Sequence, residues 1–404
     1  MSCPASRGSD PEVAGALLYV PDAESAALAG TVVAGRPLAL RAAVAAVRAG
    51  ATVVGIPAGL RTENLERLIG RTRDLRGRVR WLEGAGAALE VAGRGALFLP
   101  ASTLLDARTL GPLLADPPEA AGAVLTEAGA PVLLLTAEAA RRFAAAVAAG
   151  APLGAELGRH VAATRPKPLS AAGLCFAVGD TGDLAEAEQR LYAGMGTDND
   201  TGVDQYLHRR SSRWITRILV RTPATPNQVS GLSLVIGLGA VWCFWHGTAA
   251  SAAVGVLAYA LACIVDHSDG ELARLTFQES RFGAHLDWAI DTVIHSGLVL
   301  AMAVAAGPGW VDAAIGAVGA SGVALSALFA RYLPREIAVG ETVGGALKNR
   351  GNRDLFYALL IVFVLQRAAL PAALPILALV VAMGSQSYWL ACVGRIRRGR
   401  PSPR

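Results

Sequence analysis

Between residues 229 and 394 the chain holds six apolar segments, near 229–246, 249–271, 284–306, 310–332, 354–370 and 372–394, separated by short charged stretches. Crossing the ~30 Å hydrocarbon layer takes roughly 20 largely apolar residues in a helix, because lipid offers no partner for a backbone amide. The pattern predicts an all-α bundle of six transmembrane helices over residues 225–400. Orientation follows from the basic residues. Arg213, Arg217 and Arg221, then Arg274 and Arg281, then Arg331, Arg335, Lys348, Arg350 and Arg353, then Arg395, Arg397, Arg398 and Arg400 fall on one side. The three short loops of the other side hold only Arg367. A multi-pass protein of the cell inner membrane is expected, with both termini in the cytoplasm.

The first half reads differently. Met1–Asp10 lacks an apolar core behind a basic start, so it does not resemble a secretory signal, and residues 1–12 are expected to be disordered. Short apolar runs follow at Ala16–Val20, Thr52–Ile56, Val79–Leu82, Ala96–Leu99, Ala123–Leu125, Val132–Thr136 and Leu174–Val178. Between them lie Ala-rich segments of helical period, such as Pro37–Ala49 and Ala137–Ala149. Strands alternating with helices predict an α/β domain over 13–196, with a mainly parallel sheet covered on both faces. Asp183–Met195 closes it as a helix, and Gly194–Gly202 is a turn-rich linker.

Residues 203–221 then place Arg209, Arg210, Arg213 and Arg217 among Leu207, Trp214, Ile215 and Ile218, at the spacing of a basic amphipathic helix lying on a membrane surface. Pro226 suits the first turn of the first span. The net charge of +5 and pI near 9.1 are better matched to anionic lipid headgroups than to nucleic acid, since the arginines flank apolar spans. Five scattered cysteines, with no C-x-x-C pair, indicate neither a disulfide framework nor a zinc site. A content of 45 glycines with only 6% aromatics suits close helix packing, and Gly316, Gly319 and Ser321 would permit a helix–helix interface.

One segment carries chemistry: Asp266-His-Ser-Asp269-Gly270-Glu-Leu-Ala273-Arg274, eight residues, then Gly283-Ala-His-Leu-Asp287-Trp-Ala-Ile-Asp291. Asp266 and Asp269 are three apart and Asp287 and Asp291 four apart, so each pair shares a helix face, and a hairpin brings the faces together. Carboxylates gathered at membrane helix ends need cations beside them. Hard oxygen ligands suit Mg2+ or Mn2+, and four can hold two ions about 4 Å apart, a clamp for a diphosphate. His267, His285 and His295 lie in or beside the hairpin, but imidazole is a poor ligand for Mg2+, so they are expected to be polar packing residues.

The spacing D-x2-D-G-x2-A-R-x8-G-x3-D-x3-D, eight fixed positions over 26 residues, resembles the signature of the CDP-alcohol phosphotransferase (phosphatidyltransferase) family. The resemblance runs from about Val203 to Arg398, including Pro226-Asn227 and Asn352-Arg353-Asp354. It implies a membrane transferase of phospholipid or polyol-phosphodiester biosynthesis that passes a substituted phosphate from a CDP-alcohol to an acceptor alcohol and releases CMP. Asp266, Asp269, Asp287 and Asp291 would bind the metals, with Asp291 also the catalytic base. Asn227, Gly270, Ala273, Arg274 and Gly283 would accommodate the nucleotide. Arg331, Lys348, Arg350 and Arg353 are candidates to hold a polyol-phosphate acceptor, and a homodimer is a family expectation. An ion-coupled transporter is a competing reading, but its acids should sit near the midplane.

The first half is similar to the nucleotidyltransferase fold, as in bifunctional inositol-phosphate cytidylyltransferase and di-myo-inositol phosphate phosphate synthases. Gly35-Arg-Pro-Leu38, with the helix ending at Arg48-Ala-Gly-Ala51, carries the likeness. After the first strand, however, Val20-Pro-Asp-Ala-Glu-Ser25 has neither Gly-x-Gly nor a basic residue, and Leu97-Phe-Leu-Pro-Ala101 stands where a metal-binding Asp is expected. Asp106 is the nearest acid. A degenerate domain is expected, the alternative being a bifunctional enzyme that also makes its CDP-alcohol from CTP.

Overall fold

The computed structural model describes residues 15–93, 95–115, 122–125, 130–195, 203, 208–307, 309–333 and 353–397. The chain divides into two units, Met1–Met195 with Leu275–Gln278, and Gly196–Arg274 with Glu279–Arg404. Residues 1–12, the linker from 196 to 202, Leu207, Arg335, Lys348, Arg350, Asn352, Arg398 and Arg400 lie outside the described residues.

In the first unit the chain runs β1 (Gly15–Tyr19), α1 (Ala23–Ala29), β2 (Val32–Val33), β3 (Arg36–Pro37), α2 (Leu38–Ala49), β4 (Val53–Pro57), α3 (Glu63–Arg71), β5 (Val79–Leu82), α4 (Ala85–Ala92) and β6 (Gly95–Pro100). It continues through β7 (Thr103–Leu105), α5 (Ala107–Ala115), β8 (Ala123–Leu125), β9 (Val132–Thr136), α6 (Ala137–Ala148), α7 (Gly154–Thr164), β10 (Lys167–Leu169), β11 (Cys175–Ala177) and α8 (Leu184–Ala193). Seven strands form one sheet in the order β10-β8-β9-β6-β1-β4-β5. The pairs β1/β4, β1/β6, β4/β5 and β8/β10 are parallel, whereas β9 runs antiparallel to both β6 and β8. Side chains alternate between faces, so neighbours in sequence enter different cores. Leu18, Leu97 and Leu134 pack on one face with Leu40 and Val44 of α2, while Leu17, Phe98 and Leu133 pack on the other with Val91 of α4 and Phe143 of α6.

All seven expected runs are strands, with one difference of placement. Leu174–Val178 contributes β11, which pairs with β7 in a separate ribbon rather than in the main sheet. The sheet's edge is taken instead by β10, which contains Pro168 and an exposed Lys167 and so carries no apolar signal.

The second unit contains α9 (Arg209–Leu219), α10 (Pro226–His246), α11 (Ala249–Thr276), α12 (Arg281–Ala306), α13 (Trp310–Tyr332), α14 (Arg353–Ala369) and α15 (Leu374–Arg397). Among the described residues five helices are long and apolar enough to cross a membrane: α10, α11, α12, α13 and the segment Pro371–Arg397 that includes α15. Six spans are therefore not confirmed, and five among the described residues meet the requirement. The expected fifth span is α14, whose 17 residues reach roughly 26 Å at about 1.5 Å each, short of the hydrocarbon thickness. Pro226 does occupy the first turn of α10, behind a reciprocal cap between Thr225 and Gln228.

Glycine lets these helices approach closely. A Cβ at Gly237 of α10 would lie 2.3 Å from Ile294 Cδ1 of α12. Gly316 and Gly319, read from sequence as material for a helix–helix interface, are buried inside the unit. Gly316 faces Leu300 and Ala303 of α12, and Gly319 faces Val299 of α12 and Ala382 of α15. Helix α9 also departs from expectation. Trp214 and Ile218 are exposed as an interfacial helix requires, but Arg209 is buried together with Ser212 and Thr216.

Gly237→Val is expected to lower the stability of the detergent-purified protein by about 1–3 kcal/mol through overpacking. A fall in Tm that Ile294→Ala partly reverses would confirm this contact.

Candidate active site

The hairpin of α11 and α12 gathers the acids. Asp266 and Asp269 on α11 and Asp287 on α12 each place a carboxylate oxygen within 4.8 Å of the others. Asp266 and Asp269 are buried and Asp287 is half-buried. Ser230, one turn into α10, donates a short hydrogen bond to Asp269 Oδ2. Three carboxylates so close repel strongly where water is scarce, and hard anionic oxygens in such a group fit a divalent cation. Asp291, the fourth expected ligand, lies outside this group, one turn further along α12, and its side chain is 40% exposed.

Arg353 at the start of α14 faces these acids. Its Nη2 is 2.7 Å from Asp266 Oδ2 and 3.5 Å from Asp291 Oδ2. Its Nη1 lies 3.0 Å from His267 Nδ1 and 3.1 Å from Nε2, and His267 Nδ1 lies 2.8 Å from the Cys263 carbonyl. His267 thus packs inside the site as a polar strut. His295 spans the Asp291 carbonyl (2.6 Å) and the Tyr259 hydroxyl (2.8 Å), whereas His285 is exposed and held to the Arg281 carbonyl (2.6 Å).

Two of the expected nucleotide positions meet directly. A Cβ at Gly283 would lie 3.4 Å from Asn227 Oδ1, so the start of α10 abuts the start of α12, where Ser280 caps the helix through the Gly283 N–H (2.9 Å). Gly270 lies under the Arg274 guanidinium, at 3.5 Å from its own notional Cβ, and Ala273 is half-buried on the same helix. Among the expected acceptor residues, Arg331 stacks on Trp288 at 5.3 Å, next to Asp287 in sequence, and Arg353 joins the acids. Lys348 and Arg350 lie outside the described residues. Ser230 and the ion pair of Arg353 had no signal in the sequence: a serine in an apolar span and an arginine at a helix start are ordinary until their partners, 39 and 87 residues away, are known.

In the first unit the positions expected to bind nucleotide are occupied by structural contacts. Asp22 caps α1, accepting from the Ser25 N–H at 2.7 Å, and the carbonyls of Val20 and Pro21 accept from the N–H groups of Leu153 and Gly154, both at 2.8 Å. Ala101 is fully buried beyond β6. Asp106 accepts from the Thr109 N–H and hydroxyl, both at 2.8 Å, and caps α5. Burial alone would raise the Asp106 carboxyl, but these bonds and Arg108 outweigh it and hold it below the ordinary carboxylate value.

Two outcomes are expected. Asp106→Ala should cost about 1 kcal/mol of stability near neutral pH. A depressed carboxyl stabilises above its unfolded value, so the gap between wild type and variant in denaturant melts should close as pH falls through the lowered Asp106 value. Arg353→Met should remove about 3 kcal/mol from the protein held in chelator, by leaving Asp266 buried without its cation. Excess Mg2+ should then raise the Tm of the variant more than that of wild type.

Residues 224–393 match the family model described as CDP-alcohol phosphatidyltransferase. Curated relatives include three proteins named bifunctional IPC transferase and DIPP synthase. That of Rubrobacter xylanophilus is 35% identical over 124 residues, 29% of this chain and 27% of that protein. That of Thermococcus kodakarensis is 29% identical over 136 residues, 33% of this chain and 30% of that protein. The Aquifex aeolicus protein is 29% identical over 111 residues, 28% of this chain and 25% of its own length. The chain therefore matches between a quarter and a third of the length of these relatives. With the eight-position motif, the grouped carboxylates and the family match all falling on the same helices, residues 224–393 are a CDP-alcohol phosphatidyltransferase domain.

Proposed function

We propose that this chain is a membrane transferase that moves a substituted phosphate from a CDP-alcohol to an acceptor alcohol and releases CMP. The observation that carries the reading is the group formed by Asp266, Asp269 and Asp287, with Asp291 set apart from it beside Arg353. The acceptor oxygen forms a new bond to the phosphorus that bears the donor's alcohol, the bond from that phosphorus to the CMP oxygen breaks, and the acceptor proton passes to Asp291. Its exposed side chain suits a base that has to meet an incoming hydroxyl. Asp266, Asp269 and Asp287 would hold the divalent metal, Mg2+ or Mn2+ and two ions where Asp291 also contributes. Such ions, when bound, neutralise charge on the diphosphate and on departing CMP.

Asn227 and Gly283, where the starts of α10 and α12 abut, would contact the nucleotide, and Gly270 with Arg274 lines the next turn of α11. Arg331 and Arg353, with Lys348 and Arg350, supply the cations for a phosphorylated acceptor. Arg353 can serve that role only by exchanging part of its contact with Asp266 or Asp291 for the ligand. The basic residues flanking the spans favour a cytoplasmic active site in the cell inner membrane.

A bifunctional reading draws on the relatives' names. The caps at Asp22 and Asp106 and the buried Ala101 favour a first unit that keeps the fold without the chemistry.

Purified protein in detergent with Mg2+ should release CMP from CDP-diacylglycerol or CDP-inositol only when a suitable alcohol or polyol-phosphate is present. Chelator should abolish release, and Asp291→Asn should slow it by at least ~100-fold. Absence of release with every donor and acceptor, from folded protein, would refute the transferase reading. CMP release together with turnover of CTP and inositol phosphate would establish the bifunctional one.

A further inference from the structure

Behind the acids, α11 carries a fifth carboxylate that the transfer chemistry does not use. Glu271 lies between Gly270 and Arg274 in the motif, yet it is fully buried. All its described partners come from α9. Arg209 Nη1 lies 3.2 Å from Oε1, the Ser212 hydroxyl donates to Oε1 at 2.9 Å, and the Thr216 hydroxyl donates to Oε2 at 2.8 Å. Residues 209, 212 and 216 recur at one helical face, and all three are buried. A further bond joins the same helices, from the Ser268 hydroxyl to the Ser212 carbonyl at 3.4 Å.

Direction gives this contact its meaning. A helix turns about 100° per residue, so Glu271, two residues after Asp269, points roughly 200° away from it. The metal-facing acids and the clamped glutamate occupy opposite sides of one helix. Side-chain ends sit about 5–6 Å from a helix axis, so a rotation of about 20° would carry a carboxylate roughly 2 Å. Metal ligands tolerate about 0.2 Å. Holding the back of α11 therefore fixes where Asp266 and Asp269 aim.

We propose that Glu271, gripped by Arg209, Ser212 and Thr216, is a positioning residue that sets the rotation of α11 and thereby assembles the divalent-metal site. The proposal rests on the metal-dependent transferase reading and adds to it a role for α9 beyond lying at the membrane surface. Charge alone is not the device: two hydroxyls and a guanidinium, spread over two helical turns, define an orientation that a single ion pair would not.

The test uses full-length protein in detergent, with Mn2+ binding followed by electron paramagnetic resonance beside CMP release. Glu271→Ala is expected to weaken Mn2+ binding by at least ~10-fold and to lower kcat by ~100-fold, the scale that a 1 Å misplacement produces. Thr216→Val leaves the ion pair in place and serves where Glu271→Ala fails to fold; it should weaken Mn2+ binding by a few-fold, on the order of one lost hydrogen bond. Glu271→Gln, which keeps the size of the side chain and one oxygen to accept from a hydroxyl while its NH2 can only donate, should recover part of the binding. A merely structural contact would lower Tm but leave Mn2+ affinity and kcat per folded molecule unchanged, and that result would overturn the proposal. Wild-type protein that binds Mn2+ without releasing CMP would overturn the transferase reading alone, and wild-type protein that binds no Mn2+ would overturn both.

Discussion

Carboxylates set at the end of apolar helices repel one another in a medium that screens poorly, and the membrane half is organised around that repulsion. Two kinds of compensation are visible. Arg353 supplies a fixed cation between Asp266 and Asp291. Ser230 supplies a hydrogen bond to Asp269. Neither matches the three grouped carboxylates one for one, which leaves a group that could hold a cation. The fold thus stores in its resting state a demand that a metal and a diphosphate can meet.

Much of this was legible in the sequence because it depends on local spacing. Apolar runs of the right length mark α10 to α13, and the helical spacing within the motif places Asp266 with Asp269 and turns both towards Asp287. In the first half the strands of the sheet appear as short apolar runs, since strands covered on both faces have no polar alternation to blur them. What escaped depends on partners distant in sequence. Proline-bearing β10 takes the sheet edge, while the more apolar Leu174–Val178 supplies β11, paired with β7. Gly316 and Gly319 look equally suited to an internal or an external contact until Ala303 and Ala382 are found against them. Arg353 reads equally as an anchoring charge or as a cation for the acceptor, because nothing local points to Asp266 as its partner.

The first unit uses its aspartates locally. Its sheet is intact and its two cores are closed, and the two aspartates named there, Asp22 and Asp106, are helix caps. Caps of this kind contribute about 1 kcal/mol each and are satisfied by backbone N–H groups of their own helix.

The inward-facing polar side of α9 also bears on how the molecule is made. Arg209 leaves the ribosome 62 residues before Glu271, its partner in the finished structure. At roughly 5–20 residues per second this interval lasts about 3–12 seconds. Through that time α9 has an apolar edge, Trp214 and Ile218, and an unsatisfied polar one, so it can rest at the lipid–water boundary but cannot be enclosed. Insertion of α10 and α11 supplies the missing carboxylate. The polar face of α9 is thus completed only after α11 has been made, 62 residues later.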